Sequence, residues 1–291
     1  MITVYKRELH GLFCGMPGWV LMAVWLLGGG LFSVVYNLAA ASTDFSHMLR
    51  QLVFITPVLL PFLATRVFTR ENGGNGLWLA SLPVSRAGIV MGKYLAALTV
   101  FLIPSLLMAI YPPLLANYGA VSYGSAYTAL LGYLLLGAAW LAVCCLIASR
   151  ARRAWVSVVI GLAVSLGVAL LSFLCVIFEL LPLVTFLAGV LASVAVGVVC
   201  GIRKKRLLTG LLTGGIPAAA LTVCYFLLPV VIRKWIPEVL YALCLFARFD
   251  GFCSGYMDLP AAVTYLGVGA VSLLTVILYP VTEFRKGGPK A

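Results

Sequence analysis

The chain has 291 residues, 63% of them hydrophobic and only 10% charged, where a soluble domain carries about 25% charged residues. That much apolar surface cannot be hidden from water, so the composition excludes an ordinary soluble enzyme and makes a bilayer the solvent, with about 20 apolar residues per spanning helix. The net charge of +12 does not mark a nucleic-acid binder, because the basic residues stand between apolar runs instead of forming a stripe interleaved with aromatics.

Residues 1–13, MITVYKRELHGLF, place Ile2, Tyr5, Leu9 and Leu12 at helical spacing, with Lys6, Arg7 and His10 elsewhere on the wheel. This predicts a short amphipathic helix in the membrane interface, with a frayed tail as the alternative. Pro17 then turns the chain into the membrane. The first apolar run has full span length and no small-residue cleavage site after a short core, so it reads as an uncleaved span.

Eight apolar runs follow, near 18–40, 52–68, 94–115, 125–148, 155–178, 182–201, 207–232 and 260–281. The second is short and carries Pro57 and Pro61, and the third carries Pro104, Pro112 and Pro113. Such prolines fit spans that bend and move, and they are also simply more common in membrane helices. The expected fold is an all-α polytopic membrane protein of about eight transmembrane helices, with both termini in the cytoplasm. On that topology 16 of the 20 Lys and Arg residues are cytoplasmic, and only Arg50, Arg233, Lys234 and Arg248 lie outside, as the positive-inside rule requires. Arg233 and Lys234 leave open that 182–201 or 207–232 is re-entrant.

Residues 1–291 form a single membrane domain on this reading. The largest cytoplasmic loop, 69–93, and the largest outer segment, 233–259, are both too short to fold as globular modules. Small-xxx-small spacings at Gly11/Gly15, Gly197/Gly201, Gly210/Gly214 and Gly251/Gly255 suit close helix contacts, though 29 glycines produce several by chance.

The usual marks of chemistry are missing. There is no phosphate-cradling G-x-x-x-x-G-K-[ST] loop, and "GIVMGKY" at 88–94 has the wrong spacing. His10 and His47 stand outside the apolar runs, and no H-E-x-x-H occurs. The acids Glu8, Asp44, Glu71, Glu179, Glu238, Asp250, Asp258 and Glu283 all lie near span ends. With no ionisable residue in mid-span, a proton relay or ion-coupled carrier is disfavoured. The eight cysteines form neither C-x-x-C nor zinc spacing. Cys244 and Cys253 share one outer segment, where a disulfide and two thiols are both compatible with the sequence. No metal and no cofactor is expected in this chain.

The stretch "LWLASLPVSRAGIVMGKY" at 77–94 is too mixed to cross a bilayer. Leu77, Trp78, Leu79 and Leu82 give a short helix with an apolar face, which Pro83 stops. A second short helix, Arg86 to Lys93, leads into the next span. The first helix suits docking into a partner's groove or resting on the lipid interface. Lys93 reads also as a plain positive-inside charge.

This arrangement resembles the ABC-2 type permease family of ATP-binding-cassette transporters, its gliding-motility-type subgroup in particular. Arg66, Phe68, Glu71, Gly74, Leu79, Pro83, Val84, Ser85, Ile89, Gly92, Lys93 and Leu95 occur in matching order. The opening "VYKREL" (Val4–Leu9) is similar to the family's start. Phe249, Phe252, Gly255, Asp258, Leu259, Tyr265 and Leu266 follow its F-x-x-F-x-x-G-x-x-D-L closing pattern. Two departures stand out. The charged cluster after the second span is reduced to "TREN", and Asn75 replaces the usual Thr after Gly74.

The resemblance implies a six-span permease core with residues 182–232 as an inserted helix pair, and an outer amphipathic segment over 233–259. It implies a multi-pass subunit of the cell membrane, an exporter that is not itself an enzyme. ATP and Mg would be bound by a separate cytoplasmic ABC ATPase, and a second permease chain would complete the path. Coupling to the ATPase would fall on Arg70, Glu71, Gly74, Leu77, Trp78, Leu79, Leu82, Pro83, Gly92 and Lys93. The alternatives are a stand-alone carrier or scramblase, and a non-transporting scaffold derived from a permease.

Overall fold

A computed structural model describes residues 1–68, 85–151, 153–180 and 244–278, with the backbone alone at 171 and 173–180. Every element among these residues is helical. The chain divides into two compact units, Met1–Gly167 with Arg248–Ala291, and Val168–Ala247. The second is described only at 168–180 and at the 244–247 turn, where Cys244 and Phe246 are buried. The inserted pair expected at 182–232 lies outside the described residues.

In the first unit α1 spans Ile2–Phe13, and α2 spans Met16–Ser33 and continues as a π-helical turn, Val34–Leu38. Next come α3, Phe45–Phe68, and α4, Arg86–Leu107. A 3₁₀ turn, Met108–Ile110, joins α4 to the short α5, Tyr111–Leu115. The long helices α6, Tyr123–Arg150, and α7, Ala154–Leu180, follow. After the gap come a one-turn helix α8, Phe249–Cys253, and the last helix α9, Leu259–Leu278. Five described segments are long and apolar enough to cross a membrane: Met16–Leu38, Phe45–Phe68, Arg86–Leu115, Tyr123–Arg150 and Leu259–Leu278. They correspond to five of the eight expected runs, and α7 falls on a sixth.

Two helix starts differ from the apolar runs. The second span begins at Phe45, not near 52, so it is a full 24 residues long. Asp44 Oδ1 accepts from the Ser46 backbone N–H at 3.1 Å and starts the helix. Phe45, Met48 and Leu49 are buried between the polar residues Ser46, His47 and Arg50. The third span begins at Arg86, so Arg86–Lys93 is the first part of α4 and not a separate helix. Ser85 caps it, its side chain accepting from the Gly88 N–H at 3.3 Å.

The core is built around α6. Its buried face includes Leu136, Leu141, Cys144 and Cys145. Tyr133 is wholly enclosed, and its hydroxyl accepts from the Trp25 indole N–H at 2.7 Å and bonds the Thr56 hydroxyl at 2.9 Å. One phenol thus ties α2, α3 and α6 together where no water competes. Phe101 of α4 stands edge-on to Trp25, with ring centroids 5.1 Å apart, and lies 5.7 Å from Tyr133. Gly137 of α6 is what admits the Phe101 ring: an added Cβ would fall 2.6 Å from Phe101 Cε1 and closer still to Cζ.

The closing motif has a physical reading. Phe249 and Phe252 of α8 are buried, and Phe252 stacks on Tyr265 with centroids 6.2 Å apart. Gly255 has φ +86°, a conformation side chains resist, and reverses the chain. Asp258 then caps α9, accepting from the Ala261 N–H at 3.3 Å. Phe249, Phe252, Gly255 and Asp258 therefore build an anchor–turn–cap sequence, while Leu259 is exposed. Gly251 and Gly255 serve this turn and not a helix crossing. The Thr128 hydroxyl of α6 donates to the Phe252 carbonyl at 3.2 Å, and farther on Gly269 of α9 lies against Ala139 of α6. So α9 runs parallel to α6 and ends at the same end of the bundle as α1.

At the end away from α1, Arg50 pairs with Asp250 at 2.9 Å, and Arg248 donates to the Thr264 hydroxyl at 2.8 Å. Cys253 carries a thiol in no disulfide, so the bridge to Cys244 that the sequence left open does not form.

Candidate coupling site

The described part of the 69–93 loop converges on the end of the bundle that carries α1. Arg70, Glu71, Gly74, Leu77, Trp78, Leu79, Leu82 and Pro83 lie outside the described residues. Gly92 and Lys93 are described, and neither lies on a surface loop. Both are buried inside the first turns of α4.

Three consecutive residues of α4 meet three different helices. Successive side chains on an α-helix diverge by about 100°, so a run of three can reach three neighbours only where the helix is enclosed. Gly92 faces α1: an added Cβ would lie 3.0 Å from the Met1 carbonyl oxygen, 3.2 Å from Tyr5 N and 3.2 Å from Val4 Cβ. Lys93 faces α3, and its ammonium donates to the Val67 carbonyl at 3.2 Å and sits 5.4 Å above the Phe68 ring. Tyr94 faces α6, its hydroxyl donating to the Ala138 carbonyl at 3.0 Å. Gly92-Lys93-Tyr94 is therefore a three-way junction.

Lys93 is only 2% exposed. Val67 and Phe68 are the last two described residues of α3, so the ammonium lies at the carbonyl end of that helix, where its dipole is negative. The Phe68 face adds a cation–π contact. The same lysine fixes the spacing between the residues that enter and leave the 69–84 segment, the end of α3 and the start of α4. A plain positive-inside charge would stand in solvent; this one does not. Arg66, the residue before Val67, is exposed in the last turn of α3. The Thr65 and Ser157 hydroxyls, 2.7 Å apart, tie the same end of α3 to α7.

The seat of α1 also differs from the sequence reading. Its buried face is Val4, Glu8 and Leu12, one step round the wheel from Ile2, Tyr5 and Leu9, and Ile2 is exposed. The helix packs on α4 through Gly92 instead of lying on lipid alone. The Glu8 carboxylate pairs with Arg7 at 2.6 Å. Tyr94 was not singled out by the sequence; its signal was its position next to the Gly-Lys pair.

Among the described residues no three His, Cys, Asp or Glu side chains gather as a metal would require. What the junction can do is move α1, α3, α4 and α6 together when the 69–84 segment is pushed.

Residues 11–168, more than half of the chain, match the sequence model of the family described as "ABC-2 family transporter protein". No curated protein matches the chain.

Proposed function

The chain belongs to the ABC-2 family of transporter proteins as a permease subunit of an ABC transporter, and on that premise we propose how it is driven. A separate cytoplasmic ABC ATPase docks on the segment between α3 and α4, with Leu77, Trp78, Leu79 and Leu82 as its apolar anchors. ATP and Mg are bound by that partner. The closure of the ATPase pushes the end of α3 and the start of α4, and the Gly92-Lys93-Tyr94 junction carries the push to α1 and α6. The junction is the observation that carries this reading, because it links the docking segment rigidly to three neighbouring helices.

The orientation follows from charge. Lys6, Arg7, Arg66, Arg86, Arg150 and Arg153 are all exposed at the α1 end, and Lys/Arg excess marks the cytoplasmic face. The α8–α9 turn then lies outside. Two permease chains complete the path, the membrane is the cell membrane, and the direction is export, as in the gliding-motility-type permeases that the motifs resemble.

Trp78→Glu tests the docking segment. It is expected to abolish co-purification of the ATPase while leaving membrane insertion intact. Unchanged association would refute Trp78 and its neighbours as the docking face.

A further inference from the structure

At the α1 end, the corner where α6 turns into α7 holds a groove of about 580 Å³. Its walls include Leu146 and Ile147 from α6, Trp155 and Ile160 from α7, and its rim carries Arg150 and Arg153. None of the described lining residues is acidic. Both arginines are exposed, and Trp155 is 62% exposed beside them.

We propose that this groove binds one anionic glycerophospholipid of the adjacent leaflet, with its phosphate on Arg150 and Arg153 and one acyl chain along the apolar wall. Guanidinium forks match phosphate oxygens bidentately, and two arginines beside described lining residues that carry no carboxylate form a positive rim that an anion completes. The first turn of α7 adds backbone N–H groups and the positive end of its dipole at the same level. Depth selects a lipid over a small anion. From Arg153 to Ile160 the helix rises about 10 Å, within the roughly 15 Å hydrocarbon depth of one leaflet. The wall over that distance is apolar and offers a free phosphate nothing. Trp155 stands at headgroup level, where aromatic side chains anchor spans. Basic pockets between spans are a known form of headgroup recognition, and this one sits beside α3, to which Ser157 is bonded. The inference needs membrane insertion only and is independent of the ATPase.

The test uses the full chain reconstituted in vesicles of equal parts phosphatidylglycerol and phosphatidylcholine, then native mass spectrometry after mild detergent extraction. The wild type is expected to retain one phosphatidylglycerol per chain. R150Q/R153Q is expected to lose that retention about tenfold, while K6Q/R7Q, which removes the same charge from the same end, keeps it. I160W fills the acyl path with both arginines intact and is also expected to lose the lipid, so the test survives if the arginine variant does not fold. Retention of both lipids in proportion to the vesicle, equal loss in K6Q/R7Q, or retention by a folded I160W overturns the proposal. Displacement of the lipid by excess inorganic phosphate, which would assign the arginines to a free anion, does so too.

Discussion

Adding one methyl group at Gly137 tests the packing of the whole bundle. In Gly137→Ala the new Cβ falls 2.6 Å from Phe101 Cε1, where about 3.5–4 Å is the ordinary separation of carbon atoms. The nearer ring atom Cζ must therefore retreat by more than about 1 Å. It has nowhere to go: Phe101 is wholly buried, with Trp25 edge-on and Tyr133 beside it, both buried as well. Overpacking of this kind costs roughly 1–3 kcal/mol, and replacing a helical glycine by alanine returns about 1 kcal/mol. At the upper end of that range the net loss is about 2 kcal/mol, or about 4–8 °C in melting temperature for a chain of this size. The assay is thermal unfolding of the detergent-solubilised chain. Phe101→Leu alone also costs stability, because buried volume is lost. Combined with Gly137→Ala it should lose less than the sum of the two, since the smaller side chain yields to the new methyl. A Gly137→Ala chain more stable than wild type, or a double variant that is merely additive, would refute the close α4–α6 contact.

Three further outcomes are expected. Tyr133→Phe leaves the buried Trp25 N–H without its acceptor and should cost about 1–3 kcal/mol, with the loss reduced in a Trp25→Phe background; equal losses in both backgrounds would contradict the hydrogen bond. Lys93→Met deprives the Val67 carbonyl of its donor and should destabilise by about 1–3 kcal/mol, whereas a gain in melting temperature would mean that burying the charge costs more than the cap contributes. Burial pushes the Cys253 thiol up to about 11, against the pull of Arg50. Its contribution to stability is complete below the ordinary thiol value of 9.0 and is lost as pH rises through about 11. In a chain keeping Cys253 as its single cysteine, alkylation at neutral pH should be far slower than in one keeping only the exposed Cys14; equal rates would contradict the buried, neutral thiol.

Five of the expected spans were legible because length and hydropathy alone set them. Their ends were not. The helices run past the apolar stretches wherever a cap and a buried partner reward it, as with Asp44 and Phe45 before α3 and Ser85 before α4. Burial of Lys93 was invisible because no local pattern records a neighbouring helix's C-terminus. Of the expected apolar face of α1 only Leu12 is buried, together with Val4 and Glu8, because the helix packs on α4 through Gly92. The closing F-x-x-F-x-x-G-x-x-D-L stretch was legible as a motif, but its logic of anchor, turn and cap needed the positive φ of Gly255 and the Asp258 cap to be seen.

The most direct measurement of the central claim is a mild-detergent pull-down of the tagged chain from its native host, read by mass spectrometry. The account predicts a stoichiometric partner that carries a phosphate-binding loop. An intact, folded chain that repeatedly comes out with no ATPase would contradict it, and the junction at Gly92-Lys93-Tyr94 would then be a structural brace alone.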